Sequence, residues 1–474
     1  MFDKLKSRLV GGGHRIDRSM WSESDCASPT VSTSAVFMVA AIAAMEKRAV
    51  ATCDFPGAYL NCEIPKDGPQ VYMKLDKFLT TVLIKLDPSY TEYVRADGTC
   101  VVKLTRALYG CIMSSKLWYD QISGALIEMG FTSNPQDLCV FNRVEVDGSQ
   151  STISVHVDDF FVTAGSEEIL DKLFEDLSVR YPALVIKRGR VMEYLGMVFD
   201  FRQEGKVKIT MDGFIDDFLR DATMFSGECD TPATESLFKV DKSAKSLSES
   251  EKELYHSMTA RCLYLGKRTR PDILTAVSFL TKRVQAPTEQ DLRKLARVVK
   301  YIRGTRHMGI VLEASNYLSV IAYVDASYGV HEDMKSHTGC TIGIGRGPVY
   351  AKSTGQKLNT KSSAESELVA LSDSAGQIIW TRNFLIAQGY NIDAATVYED
   401  NQATIAMVNN GKSNSERTRH IAIRFYFVAD RVASKEIKIE YMETGSMIAD
   451  ILTKPLQGAL FKRLRDMLFN WYSD

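Results

Sequence analysis

No apolar run in this 474-residue chain is long enough to cross a bilayer. The longest, AVFMVAAIAAM at 35–45, reads as a buried helix. The opening MFDKLKSRLV carries no signal-peptide hydrophobic region. Nine cysteines are scattered without a C-x-x-C pair or a Cys/His cluster. That argues against a structural zinc site and for unpaired thiols in a reducing compartment. Internal repeats and low-complexity tails are absent too, and 45% hydrophobic with 25% charged residues marks an ordinary globular chain. The length exceeds one core, so two or three domains are expected. A net charge of −1 argues against wholesale nucleic-acid binding.

The distribution of charge says otherwise. From Tyr255 to Ile310 twelve Lys and Arg face three Asp and Glu, a surplus of +9 spread over several predicted helices. Such a stripe is either a solvated helical face or a contact for phosphates. Before it, residues 1–225 mix strands and helices without regular βαβ alternation. RAVATCDF (48–55) and TISVHV (152–157) read as strands, KLWYDQISGALIEMG (116–130) as a helix closed by Gly130, and 191–210 as a hairpin turning at Gly205. Residues 226–253 read as a connector. After about residue 316 the order becomes βββαβαβ followed by a helix, a compact α/β unit.

Acids stand at matched positions in the two halves. Asp54 ends one predicted strand, and Asp158–Asp159 occupy a hairpin tip in TISVHVDDFFVTAG. Adjacent carboxylates repel and lose hydration near a core, so a compensating cation is expected. Alone, the pair could be a turn cap. With Asp54 alongside, three carboxylates suffice for two divalent ions about 3.5–4 Å apart. Oxygen-only ligands favour magnesium or manganese. In the last unit Asp325 lies inside a strand and Asp400 follows another. Glu367 shares a helical face with Ala364, Leu368 and Leu371, whereas Glu365 points away, and Asp450 lies on a final amphipathic helix. Four acids aimed at one side of a sheet imply a second two-metal site.

Here the chain resembles the reverse transcriptase–ribonuclease H portion of copia-type LTR retrotransposon polyproteins. Ordered blocks carry the resemblance: CDFPGAYLN, LYGCIMSSKLWYDQI, HVDDFFVTA, YLGMVFDF, KRTRPDILTAVSFL, YIRGTRHMGI, AYVDASYG, KSSAESELVAL, YEDNQATIAMVNN, RTRHIAIRFYFV and MIADILTKPL. It implies an α+β right-hand polymerase (fingers and a ferredoxin-like palm, then a helical thumb or connection) followed by an α/β ribonuclease H-like domain. The expected division is 1–225 for fingers and palm, 226–315 for the basic thumb and connection, and 316–474 for the nuclease. By resemblance, Asp54, Asp158 and Asp159 are the polymerase metal ligands. Tyr59 is an aromatic gate against the 2′-hydroxyl, Tyr109 and Gly110 line the nucleotide, and Arg8 contacts the triphosphate. Asp325, Glu367, Asp400 and Asp450 are the nuclease metal ligands, and Arg417 and His420 contact the hybrid backbone. Two Mg2+ or Mn2+ ions per site are implied. The implied partners are RNA template, DNA primer, RNA–DNA hybrid and deoxynucleoside triphosphates, with capsid and integrase as sister products. A cytoplasmic virus-like particle or the nucleus is the implied location.

Several positions depart from the family pattern. His156 replaces the usual tyrosine before V-D-D, and Ile112, Met113 and Ser115 stand where Lys, Gln and Pro are usual. Ala422 replaces an aspartate. The family's fingers begin upstream of SRLV, so incomplete fingers are expected. No zinc-knuckle, integrase Cys/His or aspartic-protease pattern is present. Two alternatives stay open: an element in which only the ribonuclease H works, and a catalytically silent nucleic-acid-binding relic.

Overall fold

Phe160 and Phe161 are neighbours in one strand and bury opposite faces of one sheet, as the two-residue strand period requires. Phe160 meets Phe55, which also contacts Trp118 and Tyr181; Phe161 meets Tyr194, Phe199 and Phe201. The computed structural model describes residues 8–409 and 422–470. Its six-stranded sheet runs Thr132–Asn134, Asp137–Val144, Gln150–His156, Asp159–Ala164, Ala49–Asp54, Val185–Arg188, all antiparallel. Helices Ser114–Glu128 and Glu167–Arg180 cover the Phe160 face. The expected apolar helix is Thr33–Met45, and it lies between this sheet and a second one. Covered on all sides, it has no polar face to display.

The second sheet runs Gly345–Arg346, Ile310–Ala314, Val207–Thr210, Met197–Asp200, Val191–Tyr194. Residues 191–210 therefore form two consecutive hairpins, not the single one read from Gly205. The extra turn is Leu195–Gly196, both at positive φ (+53° and +73°). Leucine is a poor residue for that conformation, so the sequence carries little turn signal there. A small ribbon, Tyr72–Leu75 with Cys100–Lys103, stands apart near helix Lys77–Leu86.

The basic block folds as helices Glu249–Gly266, Leu274–Thr281 and Glu289–Gly304. Much of its charge is used internally. Arg270 is fully buried against Asp272, Arg283 pairs with Asp291, and Arg261 with Asp221. Arg303 donates to the Phe225 carbonyl and Lys294 to the Lys239 carbonyl. Lys267, Lys282, Arg293 and Arg306 remain exposed, a thinner cationic surface than the raw +9 implies.

The third sheet runs Tyr350–Gly355, His337–Gly343, Ile321–Ser327, Ala395–Glu399, Ile437–Tyr441, with the last two strands parallel to the central one. Helix Ser363–Ala387 packs on it, closed by Gly389 at φ +94°. Helix Gln402–Asn409 follows the fourth strand as expected, and a further helix, Ala422–Ala433, precedes the last strand and was not anticipated. Asp450 sits in a 3-10 helix, Ile448–Leu452, rather than an amphipathic α-helix, which follows later as Gly458–Phe469. The architecture is thus an α+β unit joined through helices to an α/β unit, the arrangement the resemblance implies. Among the described residues no helix is long and apolar enough to cross a membrane.

The first sheet also meets the long helix of the C-terminal unit directly. Buried Arg48 donates to Thr152, Thr163 and Gln150 of the first sheet and to Tyr390 Oη just past the long helix. Asn134 donates to the Phe384 carbonyl, and Trp380 to that of Gln136.

Candidate active sites

The first site forms at the Asp54 end of the six-stranded sheet. Asp54 and Asp159 are direct cross-strand partners, and the Phe55 N–H donates to the Asp158 carbonyl at 3.1 Å. Three acids from positions about 100 residues apart are thereby brought to one end of the sheet, although their carboxylate oxygens do not close to within 4.8 Å of one another as those of the second site do. Val157 and Asp158 form the two-residue turn between paired His156 and Asp159. Val157 has φ +56°, a region costly for a β-branched residue. Trp118 Nε1 donates to the Val157 carbonyl at 2.6 Å and pins that turn. Asp159 stays open to solvent, yet the protein mass behind it, then the Asp158 and Asp54 charges, raise its pKa. A cavity of about 230 Å³ lies beside it, lined by Asp54, Asp159, Lys187, Tyr194, Leu195 and Gly196.

Arg8, Tyr109 and Tyr59 form a row toward this site. The Arg8 guanidinium lies 5.0 Å from the Tyr109 ring centre, and the Tyr109 and Tyr59 rings are 4.8 Å apart. Burial and then the Asp158 charge raise both phenol pKa values. Gly110 serves close approach: a Cβ there would sit 2.3 Å from the Gly11 carbonyl oxygen, and one on Gly13 1.9 Å from that of Gly110. The GGG of 11–13 is thereby explained as packing against LYG, a link the sequence alone did not disclose.

The second site lies on the third sheet. Carboxylate oxygens of Asp325, Asp400 and Asp450 fall within 4.8 Å of one another, and so do those of Glu367, Glu399 and Asp400. All four acids expected here converge. Asp325 is buried and accepts from Thr453 Oγ1; Asp400 accepts from Thr444 Oγ1 at 2.8 Å. Burial raises the Asp325, Glu367 and Glu399 pKa values, and neighbouring acids raise them further. Glu365, expected to point outward, is buried as well, accepting from the Lys361 N–H.

Two residues were missed. Glu399 was readable: alternation in ATVYE puts it on the Ala395 and Val397 face, the core side. Lys454, four residues after Asp450, places Nζ 2.6 Å from Asp450 and 3.4 Å from Asp325. Gly339 shapes the site from beneath. It pairs with Asp325, and a Cβ there would meet Thr453, Ala449 and Leu452 atoms at 2.7–2.9 Å. Arg417 and His420 lie outside the described residues.

Residues 2–235 match the family model described as reverse transcriptase (RNA-dependent DNA polymerase). The chain is 27% identical over 463 residues to the retrovirus-related Pol polyprotein from transposon RE1 of Arabidopsis thaliana, covering 97% of this chain and 30% of that protein. It is 23% identical over 472 residues to that from transposon TNT 1-94 of Nicotiana tabacum, covering 98% and 34%. The transposon Ty1-JR2 Gag-Pol polyprotein of Saccharomyces cerevisiae is 25% identical over 388 residues, covering 77% and 21%. Among solved structures, Prototype Foamy Virus protease-reverse transcriptase matches with TM-score 0.22 and 14% identity over 84% of this chain and 43% of that one. LC11-RNase H1 matches with TM-score 0.23 and 13% identity over 28% and 92%. Residues 2–235 thus carry a match to the reverse-transcriptase class. Over most of its length the chain is similar to the Pol polyproteins of copia-type retrotransposons, spanning about a third of their length or less.

Proposed function

We propose that this chain copies RNA, then DNA, into DNA and cleaves the RNA strand of the resulting hybrid. The observation that carries the reading is the bringing together of distant acids at two separate places, by strand pairing in the first and by carboxylate proximity in the second. One is Asp54 with Asp158 and Asp159; the other is Asp325, Glu367, Asp400 and Asp450. Each offers hard oxygen donors, and in the second Glu367 Oε2 is buried without a hydrogen-bond partner, which suits Mg2+ or Mn2+. When bound, such ions supply charge neutralisation and activation of the attacking oxygen. The side chains do the rest. Arg8 and Tyr109 bound the incoming triphosphate, and Tyr59 blocks a 2′-hydroxyl. Thr453 and Thr444 hold Asp325 and Asp400 in orientation. The division 1–225, 226–315 and 316–474 assigns fingers and palm, thumb and connection, and nuclease. Template RNA, DNA primer, hybrid and deoxynucleoside triphosphates are the ligands. Sister polyprotein products such as capsid and integrase are the protein partners, in a cytoplasmic particle.

Primer extension on an RNA template with magnesium tests the first site. The parent extends and Asp158→Asn does not; extension by both, or by neither, ends the polymerase reading. Cleavage of a labelled RNA–DNA hybrid tests the second, and cleavage surviving Glu367→Gln removes that assignment. Salt-sensitive hybrid binding with neither activity favours the silent relic.

A further inference from the structure

Glu399 is outside the motif acids and is the deepest carboxylate of the nuclease cluster, with no exposed surface. Its strand fixes the direction, since Ala395, Val397 and Glu399 share the buried face. One of its oxygens, Oε1, accepts the Asn401 N–H at 3.2 Å, and the other, Oε2, has no hydrogen-bond partner. Glu367, reaching in from helix Ser363–Ala387, is 4% exposed and its Oε2 is likewise unpartnered. No described residue forms an ion pair with either glutamate. Two buried carboxylates in contact, each with an unsatisfied oxygen, form a costly arrangement unless a cation joins them.

The neighbouring trio differs. Asp325 and Asp450 already face the Lys454 ammonium, which bridges them. A divalent ion entering between Asp325 and Asp450 must compete with that tethered cation. One entering between Glu367, Glu399 and Asp400 displaces nothing and satisfies oxygens that otherwise lack partners. We propose that Glu399 is a direct ligand of a divalent ion held with Glu367 and Asp400, and that this position fills before the one guarded by Lys454. The proposal rests on reading the C-terminal acids as a metal site and names the order in which that site loads.

Mn2+ titration of the full chain, followed by calorimetry and by the electron-spin signal of free Mn2+, tests it. An Asp54→Asn/Asp158→Asn background removes the polymerase ligands. Glu399→Gln is expected to weaken the tightest Mn2+ binding by at least about tenfold. Glu367→Gln weakens the same binding step, and the double variant departs from the sum of the two single effects. Lys454→Met strengthens the second step more than the tightest one. If Glu399→Gln does not fold, Glu399→Asp, which keeps the charge and withdraws the oxygens, carries the same expectation. A folded variant at 399 that binds Mn2+ as the parent does overturns the proposal, and so does a parent with no tight step. Hybrid cleavage is read separately. Mn2+ binding through Glu399 without cleavage overturns the nuclease reading alone, and cleavage with Mn2+ binding indifferent to Glu399 overturns this one alone.

Discussion

Lys454 holds Asp450 at 2.6 Å, yet the Asp450 carboxyl is still pushed up to about 7, first by burial and then by the Asp325 charge. Asp325, Glu367 and Glu399 shift the same way. A carboxyl raised above its unfolded value keeps its proton longer in the folded state. Its contribution to stability is complete below about pH 4 and is lost as the pH rises through about 7. The metal-free protein is therefore expected to melt at a lower temperature near pH 8 than near pH 5. Mg2+ restores the loss at the higher pH, and Asp450→Asn flattens the profile. A melting temperature that climbs across this interval in chelator contradicts the prediction.

Arg48 binds the two halves together. Its guanidinium is buried, and it donates to three residues of the first sheet and to Tyr390. Arg48→Met strands those acceptors. The expected cost is about 2–3 kcal/mol by denaturant titration. Calorimetry should also resolve two transitions where the parent shows one. A single transition at unchanged temperature would mean the contact does not couple the halves.

The strained turn at Val157 depends on Trp118. Trp118→Phe keeps an aromatic ring beside Phe55 and Tyr181 but removes the donor to the Val157 carbonyl. It should cost roughly 1–3 kcal/mol and slow primer extension, because Asp158 is the next residue. Val157→Gly removes the positive-φ penalty, so its stability change should be smaller than that of Trp118→Phe. Chemical denaturation of both variants orders them.

Tyr59 should decide sugar selectivity. Tyr59→Val shortens the side chain while leaving the three aspartates untouched, so ribonucleotide incorporation relative to deoxynucleotide should rise by about 10–200-fold. Competitive primer extension with matched ribo- and deoxynucleoside triphosphates measures the ratio. An unchanged ratio makes Tyr59 a packing residue for Tyr109 and nothing more.

How far these sites were legible depends on whether a local pattern encodes them. Asp54, Asp158, Asp325 and Asp400 each interrupt or end an apolar strand, and that anomaly is visible in the sequence. Glu399 obeys the alternation rule and is legible by it, but Asp400, ending the same strand, is the more conspicuous acid. Leu195–Gly196 was hidden because leucine rarely takes positive φ. The internal use of Arg270, Arg283 and Arg303 was not readable at all. Their partners Asp272 and Asp291 were counted as a charge deficit rather than as neighbours, and the Phe225 carbonyl is invisible to composition.

Gly339 is the clearest case of a site residue that sequence could not reveal. Nothing in HTGCTIG marks it, yet it is the cross-strand partner of Asp325 and the floor on which the Asp450 helix rests. In Gly339→Ala the added carbon would lie 2.9 Å from both the Ala449 carbonyl oxygen and Leu452 Cβ, and 2.7 Å from a Thr453 methyl. Those atoms belong to a rigid helical turn, so the turn must move outward and carry Asp450 and the Thr453 hydroxyl away from Asp325. Small displacements of positioned groups are costly to catalysis. Hybrid cleavage should fall by about 100-fold, with primer extension unchanged because the six-stranded sheet is not touched. Gly339→Ala with parental cleavage would show that the Asp450 turn can shift without opening the cluster.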